Sequence, residues 1–160
     1  MTAGATYHHF EDKDALIAAV AEESFDLFRQ SLEVAAKRNA ASARDRSRNV
    51  GVAYVLWAVA NPVRFRLMVG YGVQAHMTQG EVGASSVATY RVVRAVLIEG
   101  LKREREEKIS NAEVLGWRSV VHGLAFLAID GHLGPAGSST KQTERIVREV
   151  LDALDARGTR

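Results

Sequence analysis

The stretch Leu115-Gly-Trp-Arg-Ser-Val-Val-His-Gly-Leu-Ala-Phe-Leu-Ala-Ile-Asp-Gly-His-Leu133 decides the fold class. Ser110 with Glu113 three residues on makes a capping box ahead of it, and Gly134-Pro135 reads as its stop. At 100° per residue, Trp117, Val120, Val121, Leu124 and Ala128 share one face. Leu115, His122, Phe126 and Ile129 share a second, and Ser119, Gly123 and Asp130 a third. A helix apolar on more than one face is buried on more than one side. Small residues on the third face, Ser119 and Gly123, leave room for another backbone. The stretch therefore predicts a central helix that touches both its own bundle and a neighbour.

Outward from this helix, the same periodicity gives an all-α bundle. A helix capped by Asp12, with Asp14 in its first turn, runs to about Lys37, with Leu16, Val20, Leu27, Phe28 and Leu32 as its apolar stripe. Its length is about 25 residues, or roughly 37 Å. A second helix spans about Ser42–Ala60. Its start carries Arg44, Arg46 and Arg48 interleaved with Asp45, which reads as a solvated helix start. Asn61-Pro62 supplies N-cap and N1 for a short helix, Val63–Val69, ended by Gly70. A long helix covers about Val82–Lys108, with Tyr90, Val93, Val96, Leu97 and Leu101 inward. The last helix opens at Ser138–Thr140 and runs to about Ala156, with Ile146, Val147, Val150, Leu151 and Leu154 on one side. Val50–Val59 is apolar enough to pass for a strand, but its alanines and length favour helix.

Composition bounds the function. The 160 residues make one domain of ordinary core size, 47% hydrophobic. Without cysteine there is neither a disulfide framework nor a thiolate metal site. No signal peptide and no apolar run of about 20 residues is read, so the expectation is a soluble cytoplasmic protein with no membrane partner. Net charge is +2 overall but −4 over residues 1–30, which lack a cationic footprint for DNA phosphates.

No catalytic constellation emerges. His8, His9, His76, His122 and His132 form no metal-ligand spacing, and no nucleophile stands beside a base, so neither an enzyme, a metal nor a cofactor is expected. His122, on an apolar helix, reads as a satisfied core or pocket residue. Gly70, Gly72, Gly80 and Gly83 mark the loosest stretch. Around it cluster Tyr54, Trp57, Phe65, Met68, Tyr71, Met77, Tyr90 and Trp117. Each alone reads equally well as core; the set together points to a small-molecule cavity between helices.

Two parts of the chain resemble the TetR family of bacterial one-component regulators. Ala3-Gly-Ala-Thr-Tyr-His-His-Phe10 followed by Glu-Asp-Lys-Asp-Ala-Leu is similar to the family signature, in which a recognition helix passes into helix four. Trp117-Arg-Ser-Val-Val-His-Gly123, with Asn61-Pro62 and Phe65-Arg-Leu-Met68 upstream, resembles the WHG type of C-terminal domain. The resemblance implies a helix-turn-helix remnant plus connecting helix over residues 1–37 and a ligand-binding and dimerisation domain over 38–160. It places Thr2, Thr6, Tyr7, His8 and Lys13 toward DNA. It implies a repressor that binds operator DNA when the N-terminus is complete and is released by a small apolar or aromatic ligand. The ligand pocket is expected from Tyr54, Trp57, Phe65, Met68, Tyr90, Trp117 and His122. A homodimer is expected through Ser119, Gly123 and Asp130 with Ile146, Val150 and Leu154.

The family pattern has two further helices ahead of the recognition helix, about 40 residues. The chain as written is therefore expected to bind operator DNA weakly or not at all. A GTG valine codon read as the initiator would account for Met1, and translating the DNA upstream tests it. The alternative is a stand-alone sensing and dimerisation module without DNA binding.

Overall fold

The computed structural model describes residues 13–70, 80–101, 110–133 and 139–157. Among these residues there are six α-helices and no strand. They are α1 (Lys13–Lys37), α2 (Ala43–Ala60), α3 (Pro62–Val69), α4 (Gly80–Leu101), α5 (Asn111–Ile129) and α6 (Thr140–Arg157). The all-α reading stands. Thr2, Thr6, Tyr7, His8, Tyr71 and Met77 lie outside the described residues, as does the stretch 102–108 assigned to the end of the fourth helix.

The hub is α2, not the stretch around Trp117. It packs on α1, α3, α4, α5 and α6, and buries Val50, Gly51, Val52, Tyr54, Val55 and Ala58 around most of its circumference. Gly51 is the physical reason. A methyl group there would stand 2.7 Å from Leu151 Cδ1 and 3.2 Å from Trp117 Cζ2. The bare backbone is what lets α5 and α6 close on α2. In α5 itself Val114, Val121, Leu124 and Ala125 are buried, while Leu115, Ser119, Gly123 and Leu127 are exposed. By length and composition alone α5 would pass for a membrane span, yet its inner face belongs to this core.

The ends of the helices follow local chemistry. At the start of α5 the capping box forms as read, Ser110 Oγ accepting from Glu113 N at 3.2 Å and Glu113 Oε2 accepting from Ser110 N at 2.8 Å. Its stop comes earlier than Gly134-Pro135. Gly131, at φ 78°, turns the chain left-handed. His132 N donates to Leu127 O at 2.7 Å and Gly131 N to Ala128 O at 3.2 Å, the paired bonds of a Schellman cap. Between α2 and α3 the chain bends by 108°. Asn61 is the joint, but its side chain turns back, Nδ2 donating to Trp57 O at 3.0 Å, and does not cap α3.

In α1 the buried set is Ala21, Ser24, Phe25, Phe28, Leu32 and Ala35. Leu27, expected inward, is 41% exposed. Both α2 and α4 pack on α1, so its buried arc centres between the two partners and rotates away from Leu27. On α6, Val147 and Leu151 are buried, Ile146 and Val150 half-buried, and Leu154 exposed. The arginine run that opens α2 is less solvated than expected. Arg46 pairs with Glu99 of α4, and Arg48 with Asp45 and with Asp152 of α6.

Candidate ligand cleft

The core does not close completely. A half-open cleft of about 810 Å³ lies with α1, α2 and α3 as its floor and α4 and α5 as its walls. This size falls within the range of small-molecule sites. Helix periodicity explains the lining. On α5, Asn111, Leu115, Arg118 and His122 recur at four, three and four residues and so form one stripe. On α4, Ser86, Val87, Tyr90, Val93 and Arg94 do the same. Phe25 and Phe28 of α1, Tyr54 of α2, and Phe65 and Met68 of α3 supply the floor.

Rings dominate that floor. Phe28 meets Tyr54 edge-on at 4.8 Å between centroids, and Tyr54 meets Phe65 at 5.8 Å. Phe65 in turn lies 5.5 Å from the His122 ring and 5.7 Å from Phe126. Edge-to-face pairs of this kind add about 0.5–1.5 kcal/mol each beyond the area they bury. Thr89 ties the α4 wall to α1, its hydroxyl shared between Ser85 O at 2.9 Å and Phe25 O at 3.3 Å.

One polar pair sits in this apolar setting, Tyr54 Oη and His122 Nδ1 at 2.9 Å. Burial, with the Arg118 cation adding to it, holds the His122 pKa below its usual value, so the ring is neutral near pH 7. Burial pushes the Tyr54 phenol up to about 12, against a smaller opposing pull from Arg118. An arginine can only donate. With Arg118 drawing on the Tyr54 oxygen, the arrangement in which the phenol O–H donates to Nδ1 is the one in which Nε2 carries the ring proton.

Of the residues expected in a pocket, the structure brings Tyr54, Phe65, Met68, Tyr90 and His122 together around the cleft. Trp57 and Trp117 are not among its walls. Trp57 packs against Phe28 at 4.8 Å, and its carbonyl holds Asn61. Trp117 lies over Gly51, on a face of α5 turned toward α6. Arg94, Arg118 and Phe25 were not singled out from sequence, and Phe28 was read only as part of the apolar stripe of α1. The 111–115–118–122 spacing was the available signal for Arg118. Of the residues expected toward DNA, only Lys13 is described, exposed in the first turn of α1. Ser119, Gly123 and Asp130 lie exposed along α5, and a methyl added at Gly123 would meet nothing within 4 Å.

Comparison with known proteins agrees with this architecture. A protein of unknown function from Rhodococcus sp. RHA1 superposes with a TM-score of 0.72 at 24% identity, over 93% of this chain and 76% of that one. PfmR, a TetR family transcriptional regulator from Thermus thermophilus, gives 0.69 at 18% identity, over 96% of this chain and 81% of its own. Both likenesses establish the fold. A search of curated proteins gives no match. The sequence profile described as "Tetracyclin repressor-like, C-terminal domain" matches residues 47–154, from the start of α2 nearly to the end of α6. The chain belongs to the tetracyclin repressor-like family.

Proposed function

We propose that this protein is a TetR-type transcriptional regulator, acting as a repressor, whose cleft between α4 and α5 takes a small apolar or aromatic molecule. The observation that carries the reading is the cleft, about 810 Å³ left open beside a ring-lined floor in a chain of only 160 residues. A concave, ring-floored cleft of this size is the shape in which proteins commonly hold small molecules. The Trp117, His122 and Gly123 spacing further supports the WHG subtype.

In this reading the protein works as a homodimer through α5 and α6. Gly116, Ser119, Gly123 and Leu127 run along the outer side of α5, and Leu154 stands 41% exposed on α6. Small residues backed by exposed leucines suit a helix-on-helix seam. Ligand in the cleft shifts the α4 and α5 walls, and so the balance between two dimer states that differ in DNA affinity. Thr2, Thr6, Tyr7, His8 and Lys13 are the proposed DNA contacts.

The test is a thermal-shift screen of apolar compounds on the whole chain and on Ser86→Trp, which plugs the cleft from the α4 wall. Ligands that raise Tm in the parent and not in the variant uphold the reading; shifts equal in both, or none at all, overturn it. Selection of binding sites from random duplex DNA, run on the chain extended by the translated upstream segment and repeated with ligand, tests the regulatory half. A palindromic site that is lost with salt and with ligand is the expected result. The net charge of −4 over residues 1–30 favours a second reading, a sensing and dimerisation module without DNA binding. That reading expects ligand and dimer but no selected site.

A further inference from the structure

The cleft has a charge as well as a shape. Its described lining contains two cations, Arg94 on the α4 wall and Arg118 on the α5 wall, and no carboxylate. Elsewhere among the described residues most arginines are matched, Arg38 and Arg91 on the surface being exceptions. Arg29 has Glu33, Arg46 has Glu99, Arg48 has Asp152, Arg64 has Glu23, Arg66 has Asp130 and Arg148 has Glu144. Arg94 and Arg118 form no ion pair with a described acid. The described acid nearest to Arg118 in sequence, Glu113, is in the capping box with Ser110 and is not among the described lining of the cleft.

From these observations we infer that the occupant is an anion with a large apolar body, a hydrophobic carboxylate or a molecule of like charge. The inference rests on the cleft being a ligand site, as proposed above. A neutral apolar guest would cover two guanidinium groups without offering either a counter-charge, leaving Arg118 only the Tyr54 oxygen, and a cationic one would be repelled. A carboxylate matches the planar fork of arginine with two parallel charge-assisted bonds. Its apolar remainder then lies on Phe65, Met68 and Phe28. His122 contributes a third donor in the same wall. When the Tyr54 O–H donates to Nδ1, the neutral ring's free donor is Nε2–H. The polar atoms of the α5 stripe thus all donate where a carboxylate would accept, apart from the side-chain oxygen of Asn111.

The experiment compares ligands that share a body and differ in head group: 2-naphthoate, 2-naphthamide and 2-(aminomethyl)naphthalene, and decanoate, decanamide and decylamine. Affinities are measured by calorimetry on the whole chain at low ionic strength. The variants are Arg94→Gln and Arg118→Gln, with Tm and circular dichroism without ligand as the folding control. We expect the carboxylate to bind at least about tenfold tighter than its amide in one or both series, and the amine to be weakest. Either substitution should remove most of that preference while leaving amide affinity within about twofold. Equal affinity of carboxylate and amide, or a preference that survives both substitutions, overturns the inference and leaves the cleft reading intact. If none of the six compounds binds, both fall together.

Discussion

Less than one helical turn separates two zones of α2 that solve opposite problems. At Gly51 the chain discards its side chain so that Leu151, Trp117 and Val121 can close over bare backbone. At Tyr54 it places a large ring, and with Phe28 and Phe65 around it the neighbouring helices stand apart by the width of a small molecule. The hollow is therefore local. It is set by which residues α2 offers to α3, α4 and α5, while the seam with α6 is as tight as any core.

Truncation should therefore hurt most where rings or branched chains are fully enclosed. Phe65→Ala removes the ring on which Tyr54, His122 and Phe126 all lean, and is expected to cost about 3–5 kcal/mol in urea unfolding. On the seam, Leu151→Ala should cost about 2–5 kcal/mol. Val87→Ala on the cleft wall, where the side chain is 48% exposed, should stay within about 0.5 kcal/mol. Equal costs for Leu151 and Val87 would break the contrast between seam and cleft.

Enlargement reverses the test. Gly51→Val drives methyls into Leu151 and Trp117 and is expected to cost about 1–3 kcal/mol net, the gain in helix propensity being smaller. Ser86→Trp, entering open space, should leave Tm near the parent value. A seam that absorbs valine without loss would show that Gly51 is not what brings α5 and α6 together.

The polar pair gives a pH signature. The folded-state pKa of His122 is depressed, so the unfolded chain binds a proton first as pH falls. Stability is full above about 6.5, the ordinary histidine value, and declines as pH drops from there toward the folded value. Plotted as Tm against pH, His122→Gln should flatten that part of the curve. Tyr54→Phe, which removes the phenol donor from Nδ1, should cost roughly 1 kcal/mol. It should also abolish the phenolate transition near 12 in absorbance. The smallest effect belongs to the rim. Arg66, paired with Asp130 and 5.5 Å from the Phe126 ring, is exposed, and its alanine variant should lose about 1 kcal/mol or less.

Helix count, the capping box at Ser110 and the break at Asn61-Pro62 were legible because they are local, written in residues a few positions apart. The hub was not. Trp117, Val121 and Phe126 make α5 the more apolar helix, and apolarity alone cannot tell a face turned to the core from one left exposed. The clue lay in Gly51, whose meaning comes from Leu151 a hundred residues later. The cleft was half legible. Tyr54, Phe65, Met68, Tyr90 and His122 announce themselves by type, whereas Arg94 and Arg118 resemble any surface cation until α4 and α5 face each other. The early stop of α5 was masked because Gly134-Pro135 is the louder signal, although Asp130-Gly131 suffices to turn the chain.

The elbow at Asn61 has a mechanical consequence. Asn61 N and Nδ2 both hold Trp57 O, Phe65 N returns to Asn61 O at 2.8 Å, and Pro62 has no N–H with which to continue α2. The 108° bend is thus braced from both sides, and Phe65 and Met68 stand on it as on a shelf bracket. A bracket does not yield to load. In the proposed reading a bulkier guest would meet this fixed base, so the adjustment would fall to the jambs, α4 and α5, and bulk at the bottom of the cleft would become displacement of the helix whose outer face carries Ser119 and Gly123.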